Sequence, residues 1–209
     1  GRGVMLAPGG TRYDGDWVAG VLEGQARIAY PDGAVYEGGM VAGQRAGTGK
    51  LTMPDGLTYD GGWASGQMSG QGRLVQPSGD AYEGRFANGR REGRGTATYA
   101  NGDRYEGDFR ADKRWGVGTF TGTDGYIYAG DWVEGRMQGQ GRLTHPDGTV
   151  YEGAFNADQP DGAGKITYPD GTGYEGTWVA GRIEGDGRAR YADGAVYEGR
   201  SEERRVGKE

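Results

Sequence analysis

A tyrosine followed by Glu, Asp or Ala and then by glycine recurs along this chain at strictly equal intervals. The tyrosines stand at 13, 36, 59, 82, 105, 128, 151, 174 and 197, every step being 23 residues. Eight full repeats therefore run from Tyr13 to Val196 without an insertion. With the tyrosine as position 1, glycine fills positions 3, 12 and 21 in all eight. Position 5 is large and usually aromatic: Trp17, Met40, Trp63, Phe86, Phe109, Trp132, Phe155 and Trp178. A fixed period of this length marks an array of stacked supersecondary units rather than one closed globular core.

The period also decides what the composition means. With 47 glycines and 7 prolines in 209 residues, these two types make up about a quarter of the chain, a level that without a period would suggest disorder. Apolar residues are only 34%, yet there are 14 Tyr and 5 Trp, which points to aromatic stacking in a thin structure. The net charge of -6 and a pI near 5.0 argue against a nucleic-acid partner, which calls for a basic patch. There is no cysteine for disulfides or thiolate metal sites, and no apolar run long enough for a membrane span. The chain begins at Gly1, so localisation stays open.

Within a repeat, the segment from position 22 to position 5 of the next, such as Ala34 to Met40, alternates bulky or small residues with charged ones, as a half-exposed strand does. A second strand is expected over positions 14 to 18, as in Gly72 to Gln76. Between them sits Pro-Asp-Gly or a close variant, a tight-turn sequence in which Pro pre-sets the backbone, Asp bonds locally and Gly takes the left-handed conformation. The other connection, for example Ala87 to Arg94, is Gly-rich without a helical stripe and reads as the looser loop of a second hairpin.

Leaving the three turn residues unpaired predicts the register: position 16 faces the next tyrosine, 15 the next acid, and 14 the next third-position glycine. Six of eight junctions then oppose unlike charges: Arg27 with Glu37, Lys50 with Asp60, Arg73 with Glu83, Arg142 with Glu152, Lys165 with Glu175 and Arg188 with Glu198. Such pairs contribute roughly 0.2 to 1 kcal/mol each, enough to select register. The opposite face carries the rings over bare glycine backbone and is the expected core. The predicted fold is all-β: an elongated, twisted, single-layer antiparallel sheet of tandem hairpins, on the order of 80 Å long at ~4.8 Å per strand.

Repeats such as YEGRFANGRREGRGTATYANG (Tyr82 to Gly102) and YEGTWVAGRIEGDGRARYADG (Tyr174 to Gly194) resemble MORN repeats, the membrane occupation and recognition nexus motif. The resemblance extends through Gly199. It implies an elongated sheet of hairpins and, for function, association with lipid headgroups, protein partners or further copies, with arrays attached to kinases, methyltransferases, junctional membrane proteins and bacterial proteins. Residues 1–12 supply the second half of an earlier repeat, residues 13–196 are the array, and residues 197–209 are a truncated repeat start with a non-repeat tail. The run from Arg200 to Glu209 reads like a translated sequencing adapter and is set aside.

Chemistry-bearing constellations are sparse. The one histidine, His145, occupies position 18, where Tyr30, Tyr99, Tyr168 or Tyr191 stand elsewhere, so it reads as a ladder residue rather than a catalytic base. The Asp-Gly pairs lack calcium-loop spacing, and Gly162 to Ile166 lacks the upstream glycine and following Ser or Thr of a phosphate loop. No catalytic residue, cofactor or metal is expected. A non-catalytic scaffold for a protein partner or for self-association is expected, with Tyr82, Phe86, Tyr105, Phe109, Trp115, Tyr128 and Trp132 as the contact residues. The alternative is an anionic-membrane module using Arg85, Arg90, Arg91, Arg94 and Arg104, and a third reading is a regulatory array whose enzyme domain lies elsewhere. The fifth repeat is the least regular, with Asp112 for Gly, Trp115 in the loop and Thr123 for Pro, the marks of a local bend or a partner site.

Overall fold

The computed structural model describes residues 1–200; the tail from Ser201 to Glu209 lies outside the described residues. The chain is all-β, an antiparallel sheet of consecutive hairpins with eighteen strands among the described residues. It divides into two compact blocks, residues 1–101 with 109–112, and residues 102–108 with 113 onward. Each repeat contributes a seven-residue strand, such as Val35–Val41, and a nine-residue strand, such as Gln44–Thr52. Within each block, strands adjacent in the chain pair antiparallel.

The Pro-Asp-Gly junctions fold as their residues dictate. Gly33 N–H donates to Tyr30 O at 3.1 Å and Tyr30 N–H to Ala34 O at 2.9 Å. Asp32 Oδ1 accepts from Ala34 N–H at 2.9 Å, and Gly33 has φ +94°. This is a type I turn closed by a left-handed glycine, one of the common hairpin loops. Pro31, Asp32 and Gly33 stay outside the ladder, so Ile28 faces Tyr36, Arg27 faces Glu37 and Ala26 faces Gly38. The same register recurs at Thr119–Ala129 and at Arg188–Glu198.

The second connection differs from the looser loop expected of it. It is a two-residue turn in which both residues have positive φ, as in Ala42 (51°) and Gly43 (74°) or Asn88 (50°) and Gly89 (76°). Two left-handed residues in succession define the turn whose twist suits a hairpin. The glycine at position 12 is not part of a loop either. It sits inside the nine-residue strand with φ between +64° and +102° across the eight repeats, where the register slips between Gly38 and Met40. It serves a bulge, which is why a Gly-rich stretch remains a strand.

The tyrosines occupy the ground that the bare glycines leave. A Cβ built on Gly72 would run into the Tyr59 hydroxyl and come within 2.6 Å of its ring. Tyr36, Tyr59, Tyr105 and Tyr128 are completely buried. Each hydroxyl donates to the carbonyl three residues on: Tyr36 to Gly39, Tyr59 to Gly62, Tyr105 to Asp108 and Tyr128 to Asp131, at 2.7 to 2.8 Å. Residue four of each repeat lies at the register slip, so the tyrosine satisfies a carbonyl where the ladder is interrupted. Successive repeats are also stapled at their two-residue turns, where Gly43 N–H donates to Leu22 O and Gly66 N–H to Arg45 O at 3.1 and 3.0 Å.

The close approach of backbone to ring makes the third-position glycines irreplaceable. Gly107→Val would drive its Cβ into Gly118 Cα and to 2.7 Å from the Tyr105 hydroxyl. A loss of about 2 kcal/mol or more is expected from such overpacking, read as a lowered urea midpoint. An unchanged midpoint would refute the packing of tyrosine on glycine.

Candidate interaction surface

The rings stack in a ladder on one face of each block, interrupted in the first by Met40. In the first, Tyr59, Phe86, Tyr82 and Phe109 follow one another with centroids 5.0 to 5.1 Å apart and planes nearly perpendicular. In the second, Trp132 lies edge-on to both Tyr105 and Tyr128, at 5.3 and 5.0 Å. Trp63, Phe86, Trp132, Phe155 and Trp178 are each wedged between their own tyrosine and that of the preceding repeat. The tryptophans at this position also reach back, Trp63 Nε1–H donating to Gly49 O at 3.0 Å and Trp132 Nε1–H to Gly118 O at 3.0 Å. Edge-to-face pairs contribute about 0.5 to 1.5 kcal/mol each beyond burial.

This packing places the aromatic residues expected as partner contacts, Trp115 aside, within the core of the chain. Tyr82, Phe86, Tyr105, Phe109, Tyr128 and Trp132 are at most 4% exposed, so they are core and present no surface as packed. Position-10 side chains close over them: the guanidinium carbons of Arg45, Arg91 and Arg114 lie 4.6, 5.1 and 5.1 Å from the ring centroids of Trp63, Phe109 and Trp132. Trp115 is half-buried. It stands at position 11, where other repeats hold an acceptor for the next two-residue turn: Glu23 for Ala42, Glu92 for Ala111, Gln138 for Ala157 and Asp161 for Ala180.

The five arginines stand in different surroundings. Arg85, Arg90 and Arg94 are exposed. Arg91 lies over Tyr82 and Phe109, its Nε 3.4 Å from Asp112 Oδ1. Arg104 is 3.0 Å from Glu106. The irregular residues of the fifth repeat keep the regular backbone. Asp112 takes the left-handed place of glycine at φ 70° and accepts Arg91 N–H at 2.8 Å. Thr123, which unlike proline has an N–H, donates it to Asp103 at 3.0 Å; Ala100 does the same to Asp80 at 2.8 Å.

The opposite face carries a ladder of unlike charges that is longer than the junction pairs alone suggest. Because the second hairpin is tight, Glu37, Asp60, Glu152 and Glu175 each face a base on both sides. In the first block the order across strands is Asp14, Arg27, Glu37, Lys50, Asp60, Arg73, Glu83. In the second it is Arg142, Glu152, Lys165, Glu175, Arg188, Glu198. Side chains close to 2.9 Å at Arg27–Glu37, 3.0 Å at Arg142–Glu152 and 3.4 Å at Arg188–Glu198. All six of these side chains are more than half exposed, so each pair adds little to stability. In the first block this face is concave, with a volume of about 560 Å3 bordered by Asp14, Arg27, Glu37, Lys50 and Asp60. The signal is present in the sequence, since positions 2 and 15 of one repeat also carry unlike charges.

His145 behaves as a ladder residue: its ring is 5.6 Å from that of Tyr126, and its N–H donates to Thr149 O at 2.8 Å across the turn. No group of three or more His, Asp or Glu is arranged to hold a metal ion among the described residues. The perturbed groups are structural. Burial pushes the Tyr59, Tyr82 and Tyr151 phenols up to about 12. Asp147 and Asp170 are held below the usual carboxylate range by hydrogen bonds from Thr149 and Thr172. Above pH ~10 an unfolded chain releases tyrosine protons that the folded chain retains. Stability is therefore expected to be constant on this account below pH ~10 and to fall between pH ~10 and ~12. Following the urea midpoint against pH, with phenolate absorbance as a second readout, checks this.

The MORN repeat family model matches eight consecutive segments, 13–35, 36–58, 59–81, 82–104, 105–125, 128–150, 151–173 and 174–196. No curated protein matches the chain. Among solved structures it is similar to the SAS-4 (dCPAP) TCP domain of Drosophila melanogaster, solved in complex with a proline-rich motif of Ana2 (dSTIL). Identity is 13%, coverage is 95% of this chain and 89% of that one, and the TM-score is 0.42. It is also similar to the TCP10 domain of Danio rerio CPAP in complex with a STIL peptide, at 18% identity, 94% and 92% coverage and a TM-score of 0.40. With its eight tandem matches, the chain belongs to the MORN repeat family.

Proposed function

We propose that the array is a non-catalytic scaffold that binds protein partners through its charged face. The observation that carries this reading is the division of labour between the two faces. The rings are committed to one another, while the other face repeats a pattern of unlike charges, strand by strand. Complementary charge patterns confer specificity and register on association more than raw affinity. A periodic face of this kind suits an extended partner whose own charges alternate, and the concavity beside Arg27, Glu37 and Lys50 is where such a partner would be most enclosed.

The membrane reading has weaker support. Arg85, Arg90 and Arg94 are exposed, but three basic residues fall short of the cluster of about four to eight that anionic surfaces retain. The test is a selection of displayed random peptides on the purified chain, followed by calorimetry at ~0.15 M salt. Enrichment of peptides with alternating charge, weakened at least about fivefold by the double reversal Glu37→Lys with Lys50→Glu, is expected. Enrichment unaffected by that reversal would move the site off the charged face. An absence of peptide binding, together with co-sedimentation on phosphatidylserine vesicles lost in the triple variant R85Q/R90Q/R94Q, would replace the scaffold reading with the membrane one.

A further inference from the structure

The fourth repeat departs from the pattern at position 16, on the ring face. Ile28, Leu51, Leu74, Phe120, Leu143 and Ile166 fill that place in six repeats, whereas Ala97 and Ala189 stand there in the other two. Tyr82 lies between Leu74 on one neighbouring strand and Ala97 on the other. A concavity of about 430 Å3 spans this ring and both of its neighbours, bounded among others by Leu74, Pro77, Asp80, Arg91, Ala97 and Tyr99. That volume lies in the range of sites that take small ligands.

The walls differ in chemistry from one end to the other. Leu74, Pro77 and the tyrosine rings provide apolar surface. At the turn end stand Asp80, the Ser78 hydroxyl and the Gln76 amide. The positive charge of Arg91 is already matched, its Nε lying 3.4 Å from Asp112 and its guanidinium packed over Tyr82 and Phe109. Asp80 uses Oδ1 to accept Ala100 N–H at 2.8 Å, and among the described residues no cation lies within ion-pair distance of it. The concavity therefore carries one uncompensated negative charge at the end of an apolar trough.

We propose that this concavity is a binding site for one basic side chain, an arginine or lysine of a partner segment. Its aliphatic stem lies along Leu74, Pro77 and the Tyr99 ring, and its head meets Asp80, with Ser78 and Gln76 as further acceptors. Long basic side chains are built for such a trough, apolar along the stem and charged at the tip, and aromatic walls add attraction for the cation. The site lies on the ring face, opposite the charged face of the scaffold reading, and stands on the cavity and its charge alone.

The test titrates the isotope-labelled chain with N-acetyl-arginine amide at low salt, followed by nuclear magnetic resonance, with the leucine and glutamate amides as controls. Saturable shifts of the Ala81 and Ala97 amides in the millimolar range are expected for the arginine probe, as its size requires. Asp80→Asn keeps an oxygen to accept Ala100 N–H while removing the charge, and should weaken the arginine probe at least about fivefold. Ala97→Leu should fill the trough, weaken binding at least about tenfold and leave the melting temperature equal or higher. Equal binding of the leucine or glutamate amide, undiminished binding in Asp80→Asn, or no binding of the arginine probe would each overturn the proposal. Should Ala97→Leu misfold, Asp80→Asn decides. A negative result here leaves the peptide selection, and with it the scaffold reading, standing.

Discussion

Everything in this protein rests on a tyrosine ring lying flat against a glycine that has no side chain to keep it away. The contact between Tyr59 and Gly72, and its counterparts at Tyr36 and Gly49 or Tyr105 and Gly118, explains the spacing of the whole repeat. A ring seated that deeply brings its hydroxyl to the carbonyl at the register slip. It also leaves an edge exposed to the next repeat, and the position-5 ring of that repeat fills the space. A thin sheet has no second layer to bury its apolar side, so the rings of neighbouring repeats supply the burial that another layer would give in a globular domain.

The charges have a different role. Pairs such as Arg142–Glu152 are more than half solvated, and exposed pairs are worth at most about 1 kcal/mol. Edge-to-face ring contacts inside the ladder contribute comparable energies in addition to the burial of whole aromatic side chains. The rings therefore carry the stability, while the charge ladder penalises a slip, since moving a strand by one residue would place every acid on the ring face. A face whose charges are needed for register but scarcely for stability is free to take part in recognition.

Much of this is legible in the residue pattern alone. The all-β class, the turn chemistry at Pro-Asp-Gly, the pairing of Arg27 with Glu37 and the ring core all follow from side chains alternating along a strand and from turn residues with known backbone preferences. The pattern misleads where one residue type serves two ends. The stretch from Ala87 to Arg94 holds two glycines, and glycine in sequence does not say whether it serves a turn, as Gly89 does, or a bulge inside a strand, as Gly93 does. Reading that stretch as a loose loop leaves the register of the second hairpin unset, and with it half of the charge ladder. The aromatic row is ambiguous in a related way, fitting both a core and a partner surface. Alternation tells which face a ring is on, but not what covers that face.

By itself, then, the sequence determined the period, the strand register and which residues share a face, because these depend on relations within a few residues or across one turn. Only the tertiary structure decided which of those residues remain accessible. The burial of Trp63 or Trp132 depends on a tyrosine one repeat earlier and on a position-10 arginine folded over it. The trough beside Tyr82 exists because two strands place Leu74 and Ala97 on either side of one ring. Covering and uncovering are properties of neighbours brought together by stacking, and no local pattern specifies them.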